Sequence, residues 1–347
     1  MKYSTLPNTD IKVSKICLGT MTFGQQNSEA EGHAQMDYAI DQGVNFFDTA
    51  EMYSIPSRKE TYGSTEKIIG TWLKKTGKRE EIVLASKIAG PNPNFGYMRD
   101  KLDFSAASIQ YALDHTLQRL QTDYLDLYQL HWPERKTNCF GQRGYKVQED
   151  AWQDNIHEVL EALDGFVKAG KIKHIGLSNE NPWGIMRFLE ESKYHNLPRI
   201  KTIQNPYSLL NRLFENASAE VCMRENVGLL AYSPMAFGVL SGKFLTGEPH
   251  PNARVNLFPQ YSRYNSSNCT EATKRYQEVA HKHGLTLTQL ALAFLAQQPF
   301  LTSSIIGATT MEQLKENIAT IDVVLSDEIL KGIDAIQAVI PDPAPSL

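Results

Sequence analysis

Eight short runs of β-branched and aromatic residues recur along the chain, and each is followed by a longer segment with helical apolar spacing. Such alternation is typical of βα units around a parallel sheet. Eight units close a (β/α)8 barrel, which fits the 347 residues as one domain over 1–347. The predicted strands are, in order, 16–20, 45–49, 82–87, 125–131, 174–178, 201–204, 229–233 and 303–307.

The helices between these strands are predicted from the same apolar spacing. Ile109, Leu113 and Leu117 share one helical face, as do Ile156 and Leu163 on another segment. The remaining predicted helices are 28–42, 64–74, 182–194, 214–225 and 311–319, and a pair over 270–296 and a last helix at 327–338 are expected to be additional C-terminal helices.

Four segments lie outside this repeat. Residues 1–14 predict a hairpin with its turn at 8–10, placed as a plug for the barrel bottom or as an edge ribbon. Two long loops, 133–154 after the fourth strand and 238–269 after the seventh, exceed ordinary connections and are where function is expected. The proline-rich end, 339–347, is expected to be a flexible tail.

Composition narrows the class of partner. The net charge is 35 − 39 = −4, which gives no basic footprint for nucleic acid or an anionic membrane. The four cysteines form no CxxC pair, and no apolar run is long enough for a signal core or a membrane span. We therefore expect a cytoplasmic protein with reduced thiols that binds a small molecule; the sequence does not predict its oligomeric state.

Several cofactor and metal motifs are absent. No two of the 22 glycines are two positions apart, so the GxGxxG fingerprint of a Rossmann dinucleotide site cannot occur. There is no HExxH pair, and His281 and His283 fit an exposed helix end. No metal site is predicted.

Polar residues end most of the predicted strands, where a barrel of this class carries its active site. Asp48 ends the second strand, with Tyr53 in the loop after it, Lys87 ends the third, and His131 the fourth. Taken singly, each has a structural explanation such as a cap, an exposed strand end or a core histidine. The other strand ends are Ser178 and Asn179, Gln204, Tyr232 and Ser233, and Gly307.

On adjacent strands, the first four residues make a proton-transfer set. A lysine ammonium favours a phenolate, so Lys87 is expected to lower the pKa of Tyr53. Asp48 would pair with Lys87, and His131 would orient or polarise a substrate oxygen.

These residues and their surrounding motifs resemble those of the aldo-keto reductases. The resemblance covers residues 3 to about 338 in the family's order, and within the family it points to the bacterial Tas-type reductases, including their insertion at 134–154. The matching blocks are 19–24, 43–53, 125–133, 176–179, 232–243 and 306–317.

The resemblance implies a TIM barrel that reduces aldehydes or ketones with NADPH and without metal. Tyr53 would protonate the carbonyl oxygen while His131 orients it, and Lys87 with Asp48 would tune the tyrosine. Tyr232 would stack on the nicotinamide. The other implied cofactor contacts are Gly19, Thr20, Met21, Asp48, Ser178, Asn179, Gln204, Ser233, Pro234, Met235, Ala236, Phe237, Gly238, Val239, Leu240, Ser241, Gly242, Lys243, Arg254, Gly307, Ala308, Thr309, Gln313, Glu316 and Asn317.

The chain departs from the family at the cofactor's 2′-phosphate. Many members carry Arg or Lys near Thr309, Thr310 or Gln313, and this chain has none there. Lys243 and Arg254 could supply those contacts, as in the potassium-channel β subunits that share the fold and a Gln and Asn in this spacing. NADPH is predicted over NADH.

Four aromatic residues, Phe23, Trp132, Phe140 and Phe237, are predicted to line the substrate mouth, under a cover formed by the insertion 134–154. They suit an apolar or aromatic carbonyl compound. Two alternatives stay open: a cofactor-binding redox sensor like the channel β subunits, and a phosphate-binding barrel isomerase, which gives no reason for Tyr232 or Gln204.

Overall fold

In the computed structural model, described over residues 1–140 and 143–345, an N-terminal hairpin precedes a closed barrel. β1 (Tyr3–Thr5) and β2 (Lys12–Ser14) pair antiparallel. Val13 of this hairpin packs with the residues inside the barrel, so the hairpin plugs the N-terminal end. Gly141 and Gln142 of the predicted insertion, and residues 346–347 of the predicted tail, lie outside the described residues.

The barrel confirms all eight predicted strands. They are wholly parallel, and the sheet closes where β10 pairs with β3 through Ile305 and Cys17. The strands are β3 (Ile16–Gly19), β4 (Phe46–Asp48), β5 (Val83–Ile88), β6 (Leu125–Leu130), β7 (Ile172–Ser178), β8 (Ile200–Pro206), β9 (Gly228–Tyr232) and β10 (Leu301–Ile306).

The helices surround this barrel, and most of them bury an apolar face in the shared core. They are α1 (Glu29–Asp41), α2 (Ser64–Thr76), α3 (Ala106–Leu120), α4 (Ile156–Lys168), α5 (Pro182–His195), α6 (Ser218–Glu225), α7 (Arg254–Leu257), α8 (Ser267–Lys282), α9 (Leu287–Ala296), α10 (Met311–Ala319) and α11 (Asp327–Val339). In the described ranges, none is long and apolar enough to cross a membrane.

The predicted pair over 270–296 divides between two roles. α9 packs against β10 and is the crossover helix of the seventh βα unit. α8 packs against both α9 and α11, so α8 and α11 are the added layer.

The tail differs from its prediction as far as it is described. The Ala344 amide donates to the Leu210 carbonyl at 2.9 Å, and the Arg212 amide donates to Asp342 Oδ1 at 2.7 Å. Ala344 is fully buried. The described part of the tail is therefore packed against the barrel, through one backbone–backbone hydrogen bond and one that the Asp342 side chain accepts.

The barrel interior has an apolar lower layer and a polar upper layer. Phe46, Val83 and Leu127 fill the lower layer. Two residues further along the same strands, Asp48, Ala85 and Gln129 point to the same inner face, since strand side chains alternate with period two. Ala85 is still apolar, but Lys87, two residues further along β5, joins Asp48 and Gln129 through hydrogen bonds, so the C-terminal end of the interior is polar.

Candidate active site

An ion pair lies at the centre of the polar layer. Lys87 Nζ is 2.5 Å from Asp48 Oδ2, and both side chains are almost fully buried. Lys87 also donates to the Thr49 carbonyl at 2.7 Å. Burial is the largest single influence on Lys87 and would lower its pKa, but the charge and hydrogen bond of Asp48, together with Tyr53, leave that pKa raised. Lys87 therefore stays charged.

Two glutamines complete the shell of Asp48. Gln204 Nε2 donates to Asp48 Oδ1 at 2.9 Å, and Gln129 Nε2 donates to the same oxygen at 3.2 Å. Gln204 also donates to Gln129 Oε1 at 3.2 Å. The buried carboxylate is thereby paired and hydrogen-bonded, which is what a charge in the interior requires. Gln204 is thus tied to Asp48 in the structure.

Tyr53 lies beside this pair, half-buried in the loop after β4. Lys87 Nζ is 5.1 Å from the centre of the Tyr53 ring. Burial raises the pKa of Tyr53, and Lys87 lowers it only in part. The sequence-based expectation of a net lowering is wrong, because desolvation of the phenol outweighs the neighbouring ammonium. At neutral pH, the Tyr53 phenol therefore keeps its proton.

His131 contacts Tyr53 from the end of β6. The two rings are 5.8 Å apart in an edge arrangement, and the His131 amide donates to the Ile88 carbonyl at 3.0 Å. Burial, assisted by the charge of Lys87, holds the pKa of His131 well below its usual range. The imidazole is therefore neutral, and its Nδ1 has no hydrogen-bond partner among the described residues.

The predicted carboxamide-binding residues form one network. Tyr232 OH donates to Asn179 Oδ1 at 2.6 Å, and Asn179 Nδ2 donates to the His131 carbonyl at 2.9 Å. Ser178 Oγ donates to the Gln204 carbonyl at 2.9 Å. The ends of β6, β7, β8 and β9 are therefore joined by side-chain hydrogen bonds. These residues lie at the C-terminal end of the barrel, as the Asp48–Lys87 pair does.

The chain after β9 has an unusual backbone. Ser233, Ala236 and Phe237 have φ of 55°, 48° and 57°, the left-handed region that residues with a Cβ seldom adopt. Gly238, with φ of 90°, continues it. Such conformations concentrate at ligand sites. Of the predicted contacts here, Ala236 and Leu240 bury their side chains in the core, so only their backbone can meet a ligand.

Two cations of this loop lack an acidic partner. No carboxylate in the described ranges lies within 4.0 Å of the Lys243 ammonium or the Arg254 guanidinium. Both are half-buried, and burial lowers the pKa of each. Arg254 instead contacts Met21 Sδ at 3.6 Å and the Phe237 ring at 5.5 Å. The pair suits an anionic ligand.

The ends of β10 and β3 lie next to this loop in the barrel. Thr20 Oγ1 donates to the Asp48 carbonyl at 2.8 Å, and Gln313 Oε1 accepts from the Thr309 amide at 2.9 Å. Asn317 donates to the Gly307 carbonyl at 3.4 Å. Glu316 is exposed and accepts from Thr286, so it lies at the outer rim.

Two residues of the α1 region were not predicted from the sequence. Asn27 donates to the Thr309 carbonyl at 3.0 Å, and Gln35 donates to the Ala308 carbonyl at 3.3 Å. The remaining side-chain oxygen of each is buried without a hydrogen-bond partner among the described residues. Buried polar atoms of this kind ordinarily find a partner, so these oxygens are candidates to accept from a ligand.

Three of the four predicted mouth aromatics lie near the site. The Trp132 ring is 5.0 Å from His131 and 5.6 Å from Phe140, and Phe237 packs 5.9 Å from Tyr261. Further aromatic and sulfur-containing side chains that the sequence did not reveal join Tyr53 and Trp132 in this cluster: Met52, Met98, Tyr62, Phe95 and Tyr97.

The structure places Phe23 elsewhere. Its side chain is fully buried in the main core, packed against Gly32 of α1 and beside Ile68 of α2. The prediction that Phe23 lines the substrate mouth is therefore wrong. Phe23 is close to Met21 in the sequence, which suggested a place at the mouth. The turn after β3 instead directs its ring toward the outer helices.

The sequence also matches the model of a known protein family. Residues 15–338 match the aldo/keto reductase family. The chain belongs to that family. It is 49% identical over 346 residues to Protein tas of Escherichia coli (strain K12), covering 99% of this chain and 100% of that protein.

More distant relatives extend the match. The chain is 33% identical to the uncharacterized oxidoreductase YrpG of Bacillus subtilis (strain 168), covering 97% and 96% of the two chains. It is 29% identical to the aldo-keto reductase yakc [NADP(+)] of Schizosaccharomyces pombe, covering 91% and 85%. As an aldo-keto reductase, this protein is an oxidoreductase.

The residues present fit a nicotinamide dinucleotide, the cofactor class of this family. Lys243 and Arg254 offer charge without an internal counter-ion, and Asn27 and Gln35 offer buried acceptors. A Cβ at Gly307 would meet no atom within 4 Å, so the backbone there is open to close approach. These three features follow the C-terminal ends of β9, β10 and β3, which are neighbouring strands of the barrel.

Proposed function

We propose that this protein reduces aldehydes or ketones with NADPH, using Tyr53 as the proton donor. The observation that carries the proposal is the buried Asp48–Lys87 ion pair, at 2.5 Å, beside Tyr53 and His131. Lys87 Nζ is 5.1 Å from the centre of the Tyr53 ring, and the Tyr53 and His131 ring centres are 5.8 Å apart. Proton donor, charge partner and neutral imidazole on adjacent strand ends are the parts that protonation of a carbonyl oxygen needs.

Tyr53 moves the proton. Its phenol is protonated at neutral pH because burial raises its pKa, so it can donate from OH to the substrate oxygen as negative charge develops there. The resulting phenolate is stabilised by the Lys87 ammonium, and it regains its proton from solvent. Asp48 keeps Lys87 in place and charged through the reaction.

His131 positions the carbonyl. A neutral imidazole donates one hydrogen bond to the substrate oxygen without competing with Tyr53 as an acid. Trp132, whose ring is tilted by 45° at 5.0 Å from that of His131, limits the imidazole's rotation, and the aromatic residues around it exclude water from the substrate. Together they hold the oxygen near Tyr53 OH.

Ser178, Asn179 and Gln204 would hold the nicotinamide carboxamide, and Tyr232 would pack on the ring. Residues 233–243 and Arg254 would surround the phosphates, and Gly307, Thr309, Gln313 and Asn317 the adenosine. The bound cofactor supplies the hydride that adds to the carbonyl carbon. Preference for NADPH over NADH rests on Lys243 and Arg254, whose unpaired charges suit a 2′-phosphate.

The deciding experiment measures binding and turnover in one cuvette. NADPH binding is followed by fluorescence, and its oxidation by 4-nitrobenzaldehyde is then followed for wild type and Tyr53→Phe. We expect equal binding by both proteins and turnover that depends on Tyr53. Binding without turnover by either protein favours the redox-sensor alternative, and a dissociation constant lower for NADH than for NADPH contradicts the cofactor preference.

A further inference from the structure

Two imidazoles and a carboxylate converge on the outer face of the barrel, between α4 and α5. His157 lies on α4, and Glu191 and His195 lie one turn apart on α5. Their ligand atoms are all within 4.8 Å of one another. From this arrangement we propose a zinc site formed by His157, Glu191 and His195, remote from the active site and independent of the reductase proposal.

The distances fit tetrahedral coordination. His157 Nδ1 and His195 Nε2 are each 3.3 Å from Glu191 Oε2. Zinc bonds of ~2.0–2.1 Å in a tetrahedron place neighbouring ligand atoms about 3.3–3.4 Å apart. Two edges of the polyhedron therefore already have the required length, and water would complete the coordination.

Neighbouring side chains orient these ligands. Glu161 Oε1 is 3.5 Å from His157 Nε2, the nitrogen opposite the proposed ligand atom. A carboxylate behind a zinc-bound histidine fixes the ring and its tautomer. Arg187 Nη2 donates to Glu191 Oε1 at 2.7 Å, which leaves Oε2 turned toward the imidazoles. Each ligand atom thus faces the shared position.

The local charge favours a cation. Four carboxylates are within these contacts, namely Glu161 and Glu191 at the imidazoles and Asp154 and Glu190 at Arg187. Arg187 is the cationic partner in the same contacts. The four carboxylates and Arg187 together carry a net negative charge of three before a metal ion binds, and Zn²⁺ would reduce it.

Position gives the site a structural effect. α4 begins directly after the 133–154 loop, and α5 begins three residues after Asn179. A metal ion held by both helices would connect the end of the insertion to the segment that carries the proposed carboxamide ligands. The expected consequence is a higher thermal unfolding temperature with zinc, because the ligand binds only the folded arrangement.

The test uses the full chain without a histidine tag, freed of metal by chelator and titrated with ZnCl₂ by calorimetry. We expect one Zn²⁺ per chain. His157→Asn and His195→Asn should each weaken binding more than tenfold, and Glu161→Gln should weaken it about 10-fold to 100-fold. His115→Asn, which changes a histidine on α3, is the matched control and should bind as wild type does.

Two further readouts complete the test. Co²⁺ in place of Zn²⁺ should give the visible absorption of a tetrahedral site in wild type and not in His195→Asn. Circular dichroism of each variant checks folding. Absence of stoichiometric Zn²⁺ binding by wild type, or wild-type affinity in both histidine variants, overturns the proposal.

Discussion

The two halves of the active site differ in whether their charged side chains have counter-ions within the protein. At the ends of β4, β5 and β6, the buried charges of Asp48 and Lys87 pair with each other and accept or donate further hydrogen bonds. In the loop after β9, Lys243 and Arg254 have no carboxylate partner in the described structure, and the backbone lies in left-handed regions. The first half is complete in the free protein, whereas the second is shaped for a ligand.

This difference separates chemistry from binding. A preorganised donor set needs no rearrangement when charge develops on the substrate. A half-buried cation without a counter-ion forms its ion pair only when an anionic ligand binds. The free energy of that ion pair therefore contributes to the affinity for the ligand. Substitutions in the first half should therefore reduce stability and turnover, and substitutions in the second should reduce cofactor affinity.

The largest effect is expected for Lys87→Met. It leaves Asp48 buried without a cation, which costs roughly 3–5 kcal/mol of unfolding free energy. Urea unfolding measures the loss, and turnover should fall about 10²- to 10⁴-fold because the Tyr53 phenolate loses its ammonium. Loss of cofactor affinity in a folded variant, with turnover retained, would contradict the separation of the two halves.

The pH dependence of this pair has a definite sign. The folded pKa of Lys87 is raised above the ordinary 10.5, so its stabilisation is fully present below that value and disappears only as pH rises through the folded pKa. The stability difference from Lys87→Met should stay constant between pH 7 and 9. Lys87→Met with Asp48→Asn is the control, and it should recover part of the lost stability.

Lys243→Ala tests the loop half. Charged hydrogen bonds contribute about 1.5–3 kcal/mol, so NADPH should bind roughly 10- to 150-fold more weakly, with unchanged unfolding free energy. Fluorescence titration measures the dissociation constant, and Lys274→Ala, on α8, is the control. Equal weakening of NADH and NADPH would place Lys243 at the pyrophosphate, not at the 2′-phosphate.

His131→Gln tests the first half of the site through the pH dependence of the free energy of unfolding. Because the folded pKa of His131 is well below 6.5, the unfolded chain binds the proton first, and stability falls as pH drops below 6.5. This group contributes a slope of up to about 1.4 kcal/mol per pH unit. Urea unfolding of both proteins between pH 5 and 7.5 measures it, and the variant should lack that contribution. Parallel profiles would show that folding does not lower the pKa of His131.

The smallest effect is expected for Phe140→Ala. Phe140 lies in the insertion, is 36% exposed, and packs with its ring centre 5.6 Å from that of Trp132. An aromatic pair contributes about 0.5–1.5 kcal/mol, so KM for an aromatic aldehyde should rise roughly two- to tenfold with kcat unchanged. Steady-state kinetics measure both constants, with an aliphatic aldehyde as the control. A fall in kcat alone would move Phe140 into the preorganised half.

Local periodicity explains why so much of the architecture was predictable. β5 and β6 carry runs of buried residues between helical segments, and the predicted strands differ from the observed ones by at most two residues at their starts. Chain position after a strand also placed Asp48, Lys87 and His131 at one end of the barrel. Gln129 was missed, although period two puts it on the face of His131.

The missed and corrected features depend on distant contacts. Gln204 and Asp48 are 156 residues apart, and Asn27 and Thr309 are 282 apart. Phe23 enters the core because α1 and α2 close over it, and the tail packs on the barrel because Leu210 accepts from the Ala344 amide and Arg212 donates to the Asp342 side chain. No local pattern contains these partners.

The sequence by itself determined the βα alternation, the polar strand ends and the residue types of the reactive set, because helix and strand periods act over a few neighbours. The tertiary structure decided which side chains share a hydrogen bond, how far burial outweighs Lys87 at Tyr53, and which cations remain unpaired. Those outcomes depend on barrel closure and desolvation, which act between residues far apart in the chain.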